Sequence, residues 1–570
     1  MKRRVRVFLV LLLVVLVVAL LARNWLAGPL VAENSYLLLD IGGDYAEAAP
    51  ADFVGRILAG REHTLLDLLT TLKKAGKDDR IKGIVVRVTR LDVGWGKAQE
   101  IRNALLSFKA TGKHLVAYLQ QEVASGNREY YVSSAADEVY LPPGGTAPLT
   151  GLMSQFYFLG GVWDKLDIHL DVEKIREYKT AGDMLVNKAM TAAHREMANS
   201  LLDSINGQLL RDVAYSRRLT PAAVQAVIDQ CPIEPTAFAR AGLSDGVKFL
   251  DEIREELLGP DGKFLKADDY ESTIDSGFNL TSRPELAVIY AVGPIQTGEA
   301  AGGLSGQTVG SDTLVDAFRK AAADDNIRAI VFRIDSPGGS ALASDLIWRA
   351  TQQARAKKPV IVSMSDVAGS GGYYIAAGGN EIVAQPATLT GSIGVVLAKP
   401  NVSGFLGRLG VTTETLVRGK YARLDDITSS LTPDERAKVV GAMQHVYDLF
   451  VQRVAEGRKL SADRVNEIGR GRVWTGEQAK KNGLVDELGG FTRAIDVAKE
   501  AVGIPSEQEV QLVFYPKRKS LLERLGGYVE ARSAVSLPAA WKHTASAVLI
   551  PFNFPDGDVL ALMGERIEIR

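Results

Sequence analysis

The feature that most constrains this chain is that much of it is written twice. Asp78-Asp79-Arg80-Ile81-Lys82-Gly83-Ile84-Val85-Val86-Arg87-Val88 returns 246 positions later as Asp324-Asp325-Asn326-Ile327-Arg328-Ala329-Ile330-Val331-Phe332-Arg333-Ile334. Tyr130-Tyr131-Val132 returns 243 positions on as Tyr373-Tyr374-Ile375. Arg217-Arg218-Leu219-Thr220 pairs with Arg458-Lys459-Leu460-Ser461, and Gly242-Leu243-Ser244-Asp245 with Gly483-Leu484-Val485-Asp486, both at an offset of 241. A drift this small is what loop-length changes produce, so the chain carries two copies of one structural unit. We set copy one at residues 35–275 and copy two at 285–505, with Thr281-Ser282-Arg283-Pro284 between them and 506–570 as a C-terminal tail.

Each copy reads as alternating strands and helices. Leu37–Ile41 and Leu286–Val292 are apolar runs at the copy starts; Ile330–Ile334 and Val360–Met364 are buried-strand patterns flanking a helical stretch, Ala343–Arg355. That alternation predicts an α/β fold with a parallel sheet and crossover helices. Met197, Leu201, Ile205, Leu209 and Val213 in copy one, and Val439, Met443, Tyr447, Phe450 and Val454 in copy two, mark one long amphipathic helix each. These stripes are packing surfaces.

The copies differ where chemistry would sit. Copy two carries Asp335-Ser336-Pro337-Gly338-Gly339-Ser340 after a strand, and then Ala368-Gly369-Ser370-Gly371-Gly372-Tyr373-Tyr374. Copy one has Thr89-Arg90-Leu91-Asp92-Val93-Gly94 and Gly126-Asn127-Arg128-Glu129 in their places. A nucleophilic serine projects from a tight turn, and flanking glycines admit both the unusual backbone and an approaching substrate. A helix starting just after Ser370 would aim its first N–H groups at a developing oxyanion. Gly339 and Gly371 are therefore the oxyanion-hole candidates. By itself Gly-Ser-Gly-Gly also fits a loop or a phosphate-binding turn, and Ala368 breaks the G-x-S-x-G elbow.

Taken together, Ser336–Gly339, Ala368–Tyr374, Leu389-Thr390-Gly391-Ser392-Ile393-Gly394, Val473–Gly476 and Gly483–Asp486 resemble the signal peptide peptidase A (protease IV) family in order and spacing, and the tandem copies resemble its long form. The resemblance implies two crotonase/ClpP-like domains, a serine peptidase with Ser370 as nucleophile, and Ser392 as the residue that orients the base. It implies a lysine base from copy one; Glu177-Tyr178-Lys179-Thr180-Ala181 matches that family segment and selects Lys179. Gly182-Asp183-Met184 then departs from the family pattern, and Lys174, Lys188 and Lys420 are the competing lysines. In the repeat, Lys179 corresponds to Ala422, so copy two has no base of its own at that position. A lysine base works only when neutral, so its reference pKa of ~10.4 must drop by about three units, and burial between the copies would do this.

The resemblance further implies peptide substrates (signal-peptide remnants) and a homotetramer. No cofactor is expected. Cys231 is the only cysteine and no HExxH pattern occurs, so neither a cysteine cluster nor a zincin site is expected. The formal net charge of −1 gives no field to recruit nucleic acid. At the N-terminus, a basic tip at 1–6 (Lys2, Arg3, Arg4, Arg6) precedes an apolar run from Val7 to Ala22, flanked by Arg23 and Trp25. Residues 7–27 are read as a transmembrane signal anchor, with a cleaved signal peptide as the alternative. The positive-inside rule then puts the catalytic copies on the periplasmic side of a bacterial inner membrane, in contact with its lipid. Tyr515-Pro516-Lys517-Arg518-Lys519, followed by Leu521, Leu522 and Leu525, is a basic amphipathic stretch that suits lipid, an oligomer contact or solvent. The same fold also hosts acyl-CoA enzymes, and a catalytically dead membrane scaffold is the other alternative.

Overall fold

The computed structural model describes residues 31–47, 64–122, 126–271, 283–300, 302–303, 306–516, 560–562 and 569. The anchor at 7–27, residues 281–282 of the inter-copy segment, and the basic stretch after Pro516 lie outside the described residues. Among the described residues, no helix is long and apolar enough to cross a membrane.

Copy one is built on a parallel sheet. β1 (Ser35–Gly43), β2 (Ile81–Leu91), β3 (His114–Leu119) and β4 (Glu138–Leu141) lie in the order 4-3-2-1, with two-residue strands at Gly246–Val247 and Leu265–Lys266 on the edges. Ile84, Val85, Val86 and Val88 are fully buried, as expected for a strand covered on both faces. Helices α1 (Leu65–Lys77) and α2 (Trp95–Lys109) cross between β1, β2 and β3. Thr64 and Asp67 close a capping box at the start of α1.

The next strand, β5 (His169–Ile175), leaves this sheet. The chain then enters α3 (Ala192–Arg217), on which Met197, Leu201, Ile205, Leu209 and Val213 are all buried. Copy two repeats the plan with β6 (Glu285–Val292), β7 (Ile327–Ser336), the short β8 (Gly338–Ser340), α4 (Ala341–Arg355), β9 (Val360–Gly369), α5 (Gly371–Ala376), β10 (Glu381–Ala384), β11 (Leu389–Gly391), β12 (Val395–Asn401), α6 (Pro433–Arg458) and β13 (Val473–Thr475). Its main sheet runs β13-β11-β9-β7-β6 and is closed by β14 (Gln511–Tyr515), parallel to β6. The copy-two sheet thus extends past residue 505, into the segment assigned to the C-terminal tail. α3 and α6 are both 26 residues long, both capped by threonine (Thr191, Thr432) and both ended by a left-handed basic residue (Arg218, Lys459).

A third sheet ties the copies together. β5 of copy one pairs antiparallel with β12 of copy two over seven residues, from Ile175↔Val395 to His169↔Asn401. β15 (Leu560–Leu562), near the C-terminus, lies between β12 and β8, antiparallel to both. The hydrophobic interior is also shared: one cluster joins Leu37, Val86 and Leu105 of copy one to Val288, Val331, Phe491 and Val497 of copy two. The copies therefore meet through an interior-like contact, and groups at their junction are far from water.

Candidate active site

Ser370 stands between the end of β9 and the start of α5, fully buried, with its N–H donating to the Gly391 carbonyl at 2.8 Å. The glycine-rich turn predicts unusual backbone for its neighbours, yet the serine itself is at φ 53°, ψ −115°. A non-glycine residue there is strained, and such strain is held only when its surroundings over-determine it. Here the β9–β11 pairing through Gly369↔Gly391 and the start of α5 fix it from both sides. A Cβ on Gly372 would come within 2.6 Å of the Ser336 carbonyl oxygen, so the Ser336–Gly339 turn and the first turn of α5 touch. Gly371 opens α5, where the first N–H groups have no intrahelical acceptor. Gly339 lies in β8 at φ 157°, and a side chain there would run into the Ile295 backbone.

Lys179 arrives from copy one. β5 is anchored on β12, the chain turns at Arg176 (φ 79°), and the Lys179 side chain passes into copy two. Its Nζ lies 2.6 Å from Ser370 Oγ and 3.1 Å from both the hydroxyl and the carbonyl oxygen of Ser392. Lys179 is 1% exposed. Burial alone pushes its pKa well below the ordinary lysine value. The competing lysines are elsewhere: Lys174 is paired to Asp183 at 2.6 Å, Lys188 to Asp164 at 2.6 Å and Lys420 to Asp434 at 2.5 Å.

Two glycines outside the residues expected at the site make this approach possible. A Cβ on Gly471 (φ 82°) would lie 2.4 Å from the Lys179 nitrogen, and one on Gly394 would lie 3.1 Å from Lys179 Cδ. The Gly469–Arg472 loop is threaded between the two halves: Tyr178 N–H donates to the Arg470 carbonyl, Gly471 N–H to Ile393 and Ser392 N–H to Arg472. Gly394 belongs to the quoted Leu389–Gly394 motif, and that was the one available signal. Gly471 carried none, since its neighbour in space is about 290 residues away in sequence. Among the described residues, no group of acidic, histidine or cysteine side chains could hold a metal ion.

A hydroxyl beside a buried amine whose pKa is lowered by burial, with a second hydroxyl steadying that amine, is an arrangement suited to nucleophilic attack assisted by a general base. The family model described as "Peptidase family S49" matches residues 107–258 and 352–505, once in each copy. The chain belongs to peptidase family S49. It is similar to the chloroplastic serine protease SPPA of Arabidopsis thaliana (37% identical over 494 residues, 85% of this chain and 71% of that one). It is also similar to Protease 4 of Salmonella typhi (30% identical over 538 residues, 90% of this chain and 85% of that one). Among solved structures it is similar to a ClpP1 variant from Listeria monocytogenes (13% identical, 36% of this chain and 94% of that one, TM-score 0.24). As an S49 member it is a serine peptidase of the signal peptide peptidase A family, on a mixed α/β scaffold with two S49 domains.

Proposed function

We propose that this peptidase works through a Ser370–Lys179 dyad, with the serine from the 285–505 repeat and the base from the 35–275 repeat. The observation that carries the reading is the 2.6 Å contact between Lys179 Nζ and Ser370 Oγ inside a fully buried site. The neutral amine takes the Ser370 proton as Oγ attacks the peptide carbonyl. Ser392 holds the amine in line. The oxyanion forms against the N–H groups of Gly339 and Gly371, a donor of this kind contributing ~3–4 kcal/mol to the barrier. Lys179 then protonates the leaving amine, and water releases the acyl-enzyme.

Peptides suit this site as substrates. β15 lies between β8 and β12 with antiparallel pairing to both, so the space beside Gly339 accepts an extended backbone along two edges. We infer that the substrates are signal-peptide remnants left in the bacterial inner membrane. Residues 7–27 anchor the chain there, with residues 1–6 in the cytoplasm and both repeats on the periplasmic side, and the working form is a homotetramer. No cofactor enters the mechanism.

Cleavage of a leader-like peptide by wild type, Ser370→Ala and Lys179→Ala is the test. Wild type cleaves, and both variants lose activity while remaining folded. Full activity in Ser370→Ala rejects the dyad. Cleavage by none of the three points instead to an inactive scaffold or an acyl-CoA enzyme.

A further inference from the structure

Copy one makes a second contact with the catalytic half, away from Lys179. β7 and β9 pair in register up to Ile334↔Met364, and pairing resumes at Ser336↔Ala368. One residue, Asp335, therefore faces three, Ser365, Asp366 and Val367. This is a bulge, a device that re-aims the strand beyond it. The Ser336–Gly339 turn leaves from one side of the bulge, and Ser370 follows two residues after Ala368 on the other. Asp335 spans it, accepting the Val367 N–H at 3.1 Å through its side chain and the Gly293 N–H at 2.9 Å through its carbonyl.

The start of α2 in copy one docks on this bulge. Its cap residue, Gly94, has no side chain to cap with. Asp366 of copy two does the capping, accepting the Gly94 N–H at 2.9 Å and the Lys97 N–H at 2.8 Å. Lys97, 6% exposed, carries its ammonium to Asp335 at 3.1 Å, Glu47 at 3.5 Å and Asp366 at 3.9 Å. The approach leaves no room for side chains: a Cβ on Gly94 would lie 2.4 Å from the Asp366 carboxylate, and one on Gly96 would lie 2.8 Å from the Ser365 carbonyl oxygen. By the repeat offset of 246, Gly94 and Lys97 correspond to Ser340 and Ala343, which follow the Gly338-Gly339 turn. The helix start that follows that turn in copy two is used in copy one to grip copy two.

We propose that Gly94 and Lys97 form a positioning element for the active site of the other repeat: through Asp366 and Asp335 they set the β7–β9 bulge, and with it the spacing between the Ser336–Gly339 turn and Ser370. The inference rests on the dyad reading above, because it assumes that Ser370 is the nucleophile. Lys97 is a positioning residue and touches no substrate.

The test is steady-state cleavage of a leader-like peptide, with melting temperature, by full-length wild type, Lys97→Met, Gly94→Ala and Ser370→Ala. A misplacement on the scale of one ångström lowers turnover by up to about a hundredfold. Both positioning variants are therefore expected to lose at least about tenfold in kcat per folded molecule with KM within about twofold, because an interaction needed only in the transition state is lost. A merely structural brace would lower the melting temperature and leave kcat per folded molecule unchanged, and that result overturns the proposal. Lys97→Met leaves buried carboxylates without their cation; if it does not fold, Gly94→Ala, which removes no charge, decides alone. If Ser370→Ala is inactive while Gly94→Ala and Lys97→Met turn over like wild type, this inference fails and the dyad stands. If Ser370→Ala is active, the dyad fails first.

Discussion

The two repeats meet the same stretch of fold with opposite solutions. In copy two, Ser370 is followed by Gly371 and Gly372, which leave the neighbouring turn uncovered. In copy one the same positions are Asn127, Arg128 and Glu129, and their side chains fill the site with bonds to its own backbone. Glu129 accepts the Leu91 N–H at 2.7 Å, and Arg128 donates to the Val93 carbonyl. Asn127 accepts from Thr150 at 3.0 Å and Gly151 at 3.1 Å and donates to the Gly151 carbonyl at 2.9 Å. Leu149-Thr150-Gly151-Leu152 repeats Leu389-Thr390-Gly391-Ser392 with leucine where Ser392 stands. The lesson is that a duplicated site can be closed by satisfying its polar groups internally. The unit so closed is free to serve its twin, and copy one extends β5 and Lys179 into copy two.

The sharpest way to break this comparison is to exchange the two residues in turn. Ser370→Ala is expected to lower peptide cleavage by at least about a thousandfold, since a nucleophile and its base act as a unit. Asn127→Ser in that background restores nothing, because Arg128, Glu129 and Leu152 remain and no lysine reaches the position. Recovery of activity would mean that copy one keeps a working site.

Lys179→Met comes next, with a loss of about a hundredfold or more in kcat/KM. In wild type, activity declines as pH falls through the lowered lysine pKa, because the protonated amine accepts no proton; the variant's residual rate lacks this limb. The stability effect has a definite sign. Burial disfavours the charged amine in the folded state, so between the lowered pKa and the ordinary ~10.4 the unfolded chain binds more protons than the folded one. Wild-type stability therefore rises with pH across that window and is lost as pH falls through it. Lys179→Met has no such dependence, so its melting temperature relative to wild type should climb as pH is lowered from about 10 toward neutrality. A pH-independent difference would mean that the amine is charged in the folded protein.

Ser392→Ala should cost about tenfold in kcat with KM nearly unchanged, because one of the two contacts that Ser392 makes to the amine, through its carbonyl, remains. The smallest effect on activity belongs to Asn127→Ala. Its kcat should stay within about twofold of wild type, while its stability drops by about 1–3 kcal/mol as buried backbone groups lose their partners. A large loss of turnover in that variant would tie the closed site to catalysis after all.

Much of this architecture was legible in the one-dimensional pattern. The repeat offset showed that there are two units, and the apolar runs located β1, β6, β7 and β9. The four-residue stripes located α3 and α6, where periodicity is strong and the caps are threonines. The glycines around Ser370 marked the tight turn between β9 and α5. The strained backbone of Ser370 itself was not legible, because flanking glycines announce a tight turn without saying which residue takes the positive φ. Gly471 was silent for the reason that its contact with Lys179 closes across the two copies.

Local sequence determined the turns, the helix caps and the difference between the copies at Ser370 and Asn127, since turn glycines, caps and periodicity act within a few residues of one another. Tertiary structure alone decided that β5 crosses to pair with β12, that β14 and β15 join the copy-two sheets, and that Asp366 caps a helix of the other repeat. These contacts join segments well over a hundred positions apart. They form because burial strips backbone and side-chain polar groups of water, and such groups are stable only where the fold brings a partner from a distant segment.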